Sequence, residues 1–308
     1  MVNAPKIKVV GVGGSGGNAV LRMRRSNVQG VELIGINTDY QDLGKIRADV
    51  KLMIGNKTTQ GLGTGMKPEI GESAARQSKD KITEILKGAD MIFIACGLGG
   101  GTGSGASPVV AEIARKLGIL SVAMVTLPFS FEGNYRKKIA QNSRKLLKEN
   151  VDALVVVKND KLLEAFDPDI PIASAFSLCD DVLREAVRGI SDLMLLPGIV
   201  NVDFADVKSI LKNSGTALFG VGKAQGGKRA EEAVRLALNS PLLDLSPKGA
   251  KGVLFNISGE DIALSEIEEI GKIITREVSP NAKVIFGAVQ DEQLKKGEIK
   301  VTVIVTGF

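Results

Sequence analysis

The chain contains no histidine and no tryptophan in 308 residues, and aromatic side chains make up only 4% of it. Without histidine there is no imidazole base, no Ser-His nucleophile pair and no His-based zinc site. So few aromatics leave no stacking platform for single-stranded nucleic acid. There are two cysteines, Cys96 and Cys179, far apart and each inside an apolar segment. They read as reduced, buried thiols and not as a disulfide framework. No apolar run approaches the ~20 residues that a membrane-spanning helix requires, so no direct membrane insertion is expected. Met1-Val2-Asn3-Ala4-Pro5 leads straight toward a strand and lacks the pattern of a secretory leader, so a cytoplasmic location is expected. The net charge is +5, but lysine and arginine are scattered, with short clusters only at 22–25 and 136–138. Nucleic acid is therefore not an expected partner.

Glycine is plentiful, with 36 residues, and it is concentrated where chemistry can use it. The segment Gly97-Leu98-Gly99-Gly100-Gly101-Thr102-Gly103-Ser104-Gly105-Ala106-Ser107-Pro108 follows the apolar run Met91-Ile92-Phe93-Ile94-Ala95 and precedes a helical pattern beginning at Val109. A strand, a glycine loop and a helix start form an anion site, because backbone N–H groups can turn inward and the helix dipole adds positive potential. Thr102 adds a hydroxyl donor. No GxxxxGK[ST] occurs, so this is not a Walker loop. A second glycine loop, Gly11-Val12-Gly13-Gly14-Ser15-Gly16-Gly17-Asn18, follows the strand pattern Ile7-Lys8-Val9-Val10. Residues 11–16 fit GxGxxG, and Asp39 stands where a dinucleotide fold places its ribose acid. On residues 11–16 alone, an NAD(P)-dependent oxidoreductase is a reading. Two glycine loops, each after its own strand and one with a threonine, suggest instead a triphosphate held from both sides.

The first half alternates strand patterns at 6–10, 32–37, 51–54, 91–95, 121–126 and 153–157 with helical ones, for example at 16–26, 71–86 and 132–149. This predicts an α/β fold with a Rossmann-like, doubly wound parallel sheet and ligands at the strands' carboxyl ends. Both glycine loops, Asn37-Thr38-Asp39 and Asn159-Asp160 lie at such ends. From 172 to 196, Phe176, Cys179, Leu183, Ala186, Val187, Ile190 and Met194 recur at helical spacing until Pro197-Gly198. That predicts one long central helix. Beyond it, helices at 204–213, 228–238 and 264–277 intersperse with strands at 217–222, 252–258, 283–289 and 299–305. The last two strands follow each other across a short polar turn, which predicts antiparallel pairing in an α+β domain with a mixed sheet. The expected organisation is 1–171, a nucleotide domain; 172–196, a connecting helix; and 197–308, a C-terminal domain.

Taken in order, these segments resemble the tubulin/FtsZ superfamily of GTPases, and within it the FtsZ family of prokaryotic cell-division GTPases. The residues at 97–108 look like its signature loop. Gly11 to Asn18 resembles the first nucleotide loop and Asn37-Thr38-Asp39 the second. Gly61-Leu62-Gly63-Thr64-Gly65 with Pro68-Glu69-Ile70-Gly71 resembles the third. Pro128-Phe129, Phe131-Glu132-Gly133 and Arg136 resemble the fifth, and Asn159-Asp160 the sixth. Asn201-Val202-Asp203-Phe204-Ala205-Asp206 resembles the synergy loop that carries catalysis in the family.

The resemblance implies GTP or GDP in the cavity, with Gly13, Gly14, Ser15, Asn18, Gly97, Gly100, Gly101, Thr102 and Gly103 around the phosphates. It places Glu132 and Arg136 on the ribose and phosphate side, Asn159 and Asp180 on the guanine edge, and Phe176 stacked on the base. A carboxylate suits guanine because N1–H and the 2-amino group form a donor pair that adenine lacks. Asp203 and Asp206, helped by Asn201, would act on the GTP of the next subunit, with Mg²⁺ held by phosphates and water and no direct protein ligand. The implied partners are further copies of the chain, head to tail, together with division and membrane-adaptor proteins, and the implied place is the mid-cell ring. A binding-only filament protein is the other reading within this class. Simpler structural roles exist for three of these groups: core packing for Phe176, an exposed helix charge for Asp180, and helix capping for Asn201 or Asp203. The sequence departs from the usual family pattern at Ser15 (commonly glycine), Thr64 (alanine), Lys158 (proline) and in its positive charge. The family's linker and adaptor-binding C-terminal peptide have no counterpart in these residues, so the chain is expected to assemble without that handle.

Overall fold

The computed structural model describes residues 4–164, 171–196, 198–240, 246–291 and 294–308. Met1-Val2-Asn3, read above for a leader, and the helix-breaking Pro197 lie outside the described residues. The chain divides into two compact units, Pro5–Val187 and Arg188–Phe308.

In the first unit, six strands alternate with helices. They are β1 (Ile7–Val12), β2 (Val31–Asn37), β3 (Val50–Met53), β4 (Met91–Gly97), β5 (Leu120–Leu127) and β6 (Ala153–Lys158). All neighbours pair parallel, in the order β3-β2-β1-β4-β5-β6. The strands are apolar on both faces, as a sheet covered on both sides requires: every residue of Met91-Ile92-Phe93-Ile94-Ala95-Cys96 is buried. The helices are α1 (Gly13–Arg25), α2 (Tyr40–Lys45), α3 (Asn56–Thr59), α4 (Pro68–Gln77), α5 (Lys79–Leu86), α6 (Thr102–Lys116), α7 (Asn134–Asn150), α8 (Asn159–Glu164) and α9 (Ile172–Leu195), the last of which crosses the division between the units. The chain reverses its winding direction between β1 and β4, which are paired with Val12 opposite Cys96. Their carboxyl ends therefore lie side by side, where doubly wound sheets bind ligands.

Two expectations change here. The glycine loops are not loops for most of their length: α1 begins at Gly13, not at 16, and α6 begins at Thr102, seven residues before the pattern at Val109. Pro108 lies inside α6 and removes one helical hydrogen bond. Glycine lowers helix propensity, but close packing decides the matter. A Cβ on Gly105 would lie 2.0 Å from the Pro68 carbonyl oxygen of α4, and one on Gly16 would lie 2.2 Å from the Ala95 carbonyl oxygen of β4. The predicted helix at 71–86 is likewise two helices. Ser78 leaves helical geometry (φ −103°, ψ 15°), and its hydroxyl accepts a hydrogen bond from the Gly55 N–H at 3.3 Å.

The second unit contains β7 (Gly198–Val200), α10 (Phe204–Leu211), β8 (Gly215–Gln225), α11 (Arg229–Leu238), β9 (Gly252–Gly259), α12 (Leu264–Glu277), β10 (Lys283–Gln290) and β11 (Glu298–Thr306). Its sheet runs β8-β11-β9-β10-β7 and is mixed, as expected. The antiparallel pairs, however, are β11 with β8, β11 with β9, and β10 with β7; β10 pairs parallel with β9. The last two strands are thus not a hairpin. Strand β11, with only Glu298 half-buried, occupies the central position that its apolar run demands. Val253, Phe255, Ile257, Val301, Val303 and Val305 form the core with Ile270 and Ile274 of α12 and Ala233 and Val234 of α11. Arg188 of α9 bonds to Asp192 at 3.2 Å and Asp291 at 3.0 Å, so the end of α9 is tied by charge to this sheet.

Gly16→Ala should force α1 away from β4. We expect a loss of about 1–3 kcal/mol, as for overpacked cores, read as a lower urea midpoint at an unchanged slope.

Candidate functional site

The helical starts of α1 and α6 supply the site. Gly13 takes φ +73°, which glycine adopts without strain, and its Cβ position would lie 3.0 Å from the Gly103 nitrogen. The two helix N-termini thus adjoin. Neither carries a side-chain cap, so the first-turn N–H groups of both are free to meet an anion. The hydroxyls of Thr38 and Thr102 are 2.7 Å apart. Ser104 Oγ accepts from the Gly99 N–H at 2.8 Å and holds the turn into α6. Asn37 Oδ1 accepts from the Thr38 N–H at 2.8 Å and orders the end of β2. Asp39, which a dinucleotide fold would use on ribose, instead caps α2 by accepting from the Asp42 N–H at 3.0 Å.

These elements enclose a cavity of about 320 Å³, lined by Gly13, Gly14, Ser15, Gly97, Gly100, Gly101, Thr102 and Gly103 together with Glu132, Arg136, Asn159, Phe176 and Asp180. Asn18, also expected around the nucleotide, is exposed on α1 and is not among the residues that line the cavity. Thr64, buried at 8% exposure, also lines the cavity, as do Thr126 and Cys179, which sequence reasoning did not single out. Thr126 stands at the carboxyl end of β5, a position the parallel-sheet rule does flag.

The polar groups of the wall are held in place. Glu132 Oε2 accepts from Arg136 at 2.6 Å, and its Oε1 accepts from the Phe129 N–H at 2.9 Å. Asp180 is buried and accepts from Arg22 Nε at 3.3 Å, so it is no exposed helix charge. Burial pushes its carboxyl up to about 6, against the pull of the Arg22 guanidinium. Arg22 left no signal in the sequence: it belongs to a short basic cluster, and its partner is 158 positions away. Phe176 is 41% exposed and meets Phe129 edge-on at 5.2 Å between centroids, which leaves ring surface on the cavity. Asn159 Oδ1 is buried without a hydrogen-bond partner among the described residues. An unpaired buried acceptor on a cavity wall calls for a donor from a ligand. Cys96 and Cys179 are buried thiols pushed up to about 12, chiefly by burial, and so unreactive.

Asn201, Asp203 and Asp206 belong to the second unit. Asn201 Oδ1 accepts from the Gly198 N–H at 2.8 Å. Asp203 is the N-cap of α10, accepting from the Asp206 N–H at 2.8 Å. The Asp206 carboxylate, in the first turn, has no hydrogen bond or ion pair among the described residues. No cluster of three or more His, Cys, Asp or Glu side chains suited to a metal ion occurs among the described residues.

Asp203→Ala should remove the cap of α10 and lower stability by about 1 kcal/mol, whereas Asp203→Ser should keep most of it. Denaturant midpoints of the two variants read the difference.

Comparison with known proteins gives the family. Residues 6–167 match the model of the tubulin/FtsZ family GTPase domain, and residues 215–308 match the FtsZ family C-terminal domain. The cell division protein FtsZ 1 of Thermococcus kodakarensis is 51% identical over 302 residues, covering 98% of this chain and 80% of that protein. An FtsZ of M. jannaschii, solved as an empty dimer, superposes with a TM-score of 0.95 at 46% identity, covering 99% of this chain and 89% of that one. CetZ2 of Haloferax volcanii, solved as a GTPγS-bound protofilament, gives a TM-score of 0.82 at 25% identity over 97% of this chain and 92% of its own. The chain belongs to the FtsZ family of tubulin-like GTPases.

Proposed function

We propose that this chain is a self-assembling GTPase of cell division whose hydrolytic site is completed by the next subunit in a head-to-tail filament. In this reading residues 1–171 hold GTP, 172–196 connect, and 197–308 present the synergy segment. One observation carries it. The two acidic side chains that line the cavity are both engaged, Glu132 by Arg136 and the Phe129 N–H, Asp180 by Arg22. Both oxygens of Glu132 are thus occupied, and Asp180, with Oδ1 left for the cavity, is assigned to the base edge and not to the phosphates. The free carboxylate of Asp206 lies on the segment that resembles the family's catalytic loop.

The division of labour follows from phosphoryl-transfer chemistry, which is mostly positioning and charge stabilisation. First-turn N–H groups of α1 and α6 with Thr102 hold the phosphates, and Gly13, Gly14, Ser15, Gly97, Gly100, Gly101 and Gly103 let them approach closely. Arg136 adds a fixed positive charge near the ribose and phosphate side. Asn159 and Asp180 read guanine, and Phe176 supports the base. Mg²⁺, when bound with the nucleotide, would offset charge on the phosphates. Asp203 and Asp206 of the adjoining subunit orient and polarise the attacking water, Asn201 helps close the site, and Asp203 also caps α10. Head-to-tail contacts of this kind are heterologous and propagate as filaments. The partners are further copies of the chain and the division and adaptor proteins expected of the family, and the place is the cytoplasm at the mid-cell ring. Relatives solved as a dimer and as a protofilament support self-association.

Phosphate release per subunit should be near zero below a threshold protein concentration and rise above it; a constant rate per subunit would mean a self-contained site. Asp206→Ala should leave GTP affinity within about twofold and lower turnover by about 10²-fold or more, the scale of a lost acid–base group. Retained hydrolysis in this variant would assign Asp206 a structural role only.

A further inference from the structure

We propose that Arg22 is the residue that sets base specificity: tied to Ser177, its guanidinium is the counter-ion that keeps the Asp180 carboxylate aimed at the base edge and able to accept two hydrogen bonds from guanine. This rests on the base-reading role given to Asp180 above, and the experiment below separates the two.

The arrangement is a built one. Arg22 projects from α1 and Asp180 from α9, and its Nε donates to Asp180 Oδ2 at 3.3 Å. Its Nη2 donates to Ser177 Oγ at 2.6 Å, one turn earlier on α9. Its Nη1 lies 3.7 Å from Asp181 Oδ2. The planar fork therefore has one arm on the hydroxyl and one on the carboxylate, which fixes its direction as a lysine ammonium would not. Among the described residues Asp180 accepts through Oδ2 alone, so the carboxylate keeps lone pairs for the cavity it lines.

Charge requires such a partner. Asp180 is 7% exposed, and a carboxylate so buried is not ionised in neutral water unless a cation faces it. The charged or titratable neighbours are Arg22 on α1, then Cys179, Asp181 and Arg184 on α9, with Glu132 and Arg136 on the cavity wall. Asp181 repels charge on Asp180, and Cys179 stays a neutral thiol. Arg184 is turned to Asp181 and Glu185. Arg136 is held by Glu132. Arg22 is thus the cation that acts on Asp180 directly. With it, burial still leaves the carboxyl at about 6; without it, the carboxyl moves higher. A protonated Asp180 is a donor as well as an acceptor and no longer matches the two donors of guanine. Guanine preference is therefore present above the Asp180 pKa and is lost as the pH falls through it.

The test compares GTP with inosine triphosphate, which differs only by lacking the 2-amino group, so it reports on the base edge and not on Glu132 or the phosphates. Dissociation constants for both are measured from pH 5.5 to 9 in the parent, Arg22→Gln, Arg22→Lys, Ser177→Ala and Asp180→Asn. The parent should prefer GTP by about tenfold at neutral pH, the scale of a hydrogen bond to a charged group, with the preference fading near pH 6. In Arg22→Gln the midpoint of that fade should rise by about one pH unit or more, with recovery at pH 9. Arg22→Lys should return it toward the parent. Ser177→Ala, which leaves Arg22 in place but untied, should move it the same way by less, and serves where Arg22→Gln loosens α1. Midpoints that coincide in all Arg22 and Ser177 variants, even with both nucleotides weakened equally, would make Arg22 a mere strap between helices and overturn the proposal. A preference that survives in Asp180→Asn would instead overturn the base-reading role itself.

Discussion

The structure depends on one constraint: a polyphosphate has to be neutralised without a loop lysine or a histidine. In the proposed reading backbone N–H groups do this work, and helix starts are where such groups lack an intrahelical partner. Two helix starts must therefore converge, and the pairing of β1 with β4 brings α1 and α6 together. Much else follows from that convergence. Gly11 and Gly16 let α1 lie on the sheet, Gly103 lets α6 approach β4, and Gly105 lets α4 close over α6, each at distances a Cβ would block. The glycines serve tertiary contact at least as much as turn geometry.

The same constraint shapes the chemistry. A cavity built from backbone donors has few side chains to spare for catalysis, and its two carboxylates are already bonded to arginines. The Asp206 carboxylate, in the first turn of α10, has no hydrogen bond or ion pair among the described residues. In the proposed reading, hydrolysis that waits for a neighbour's carboxylate couples turnover to assembly.

Much of this was legible in the residues. Apolar runs ending in glycine, asparagine or threonine marked the strands of the first unit to within two residues, because a sheet buried on both faces leaves an uninterrupted apolar signal. The cavity was legible for the same reason, since its residues sit at strand ends. What escaped was decided by contacts distant in sequence. Glycine and Pro108 argue locally against helix, yet packing against α4 and β4 holds residues 13–16 and 102–108 helical. Strands β10 and β11 look like a hairpin, but β11 is inserted between β8 and β9. Arg22 meets Asp180 only because α1 and α9 approach across the fold, which no local pattern encodes.

The most direct test of shared catalysis is a mixing experiment. One partner is Asp206→Ala, which binds GTP but lacks the carboxylate. The other is Gly100→Leu, which puts a bulky side chain on the cavity wall at a position whose Cβ meets no protein atom within 4 Å. Each alone should be inactive, and the equimolar mixture should release phosphate, because intact carboxylates of one meet bound GTP of the other. A mixture no more active than the sum of its parts, with both variants folded and the first still binding GTP, would contradict a site shared between subunits.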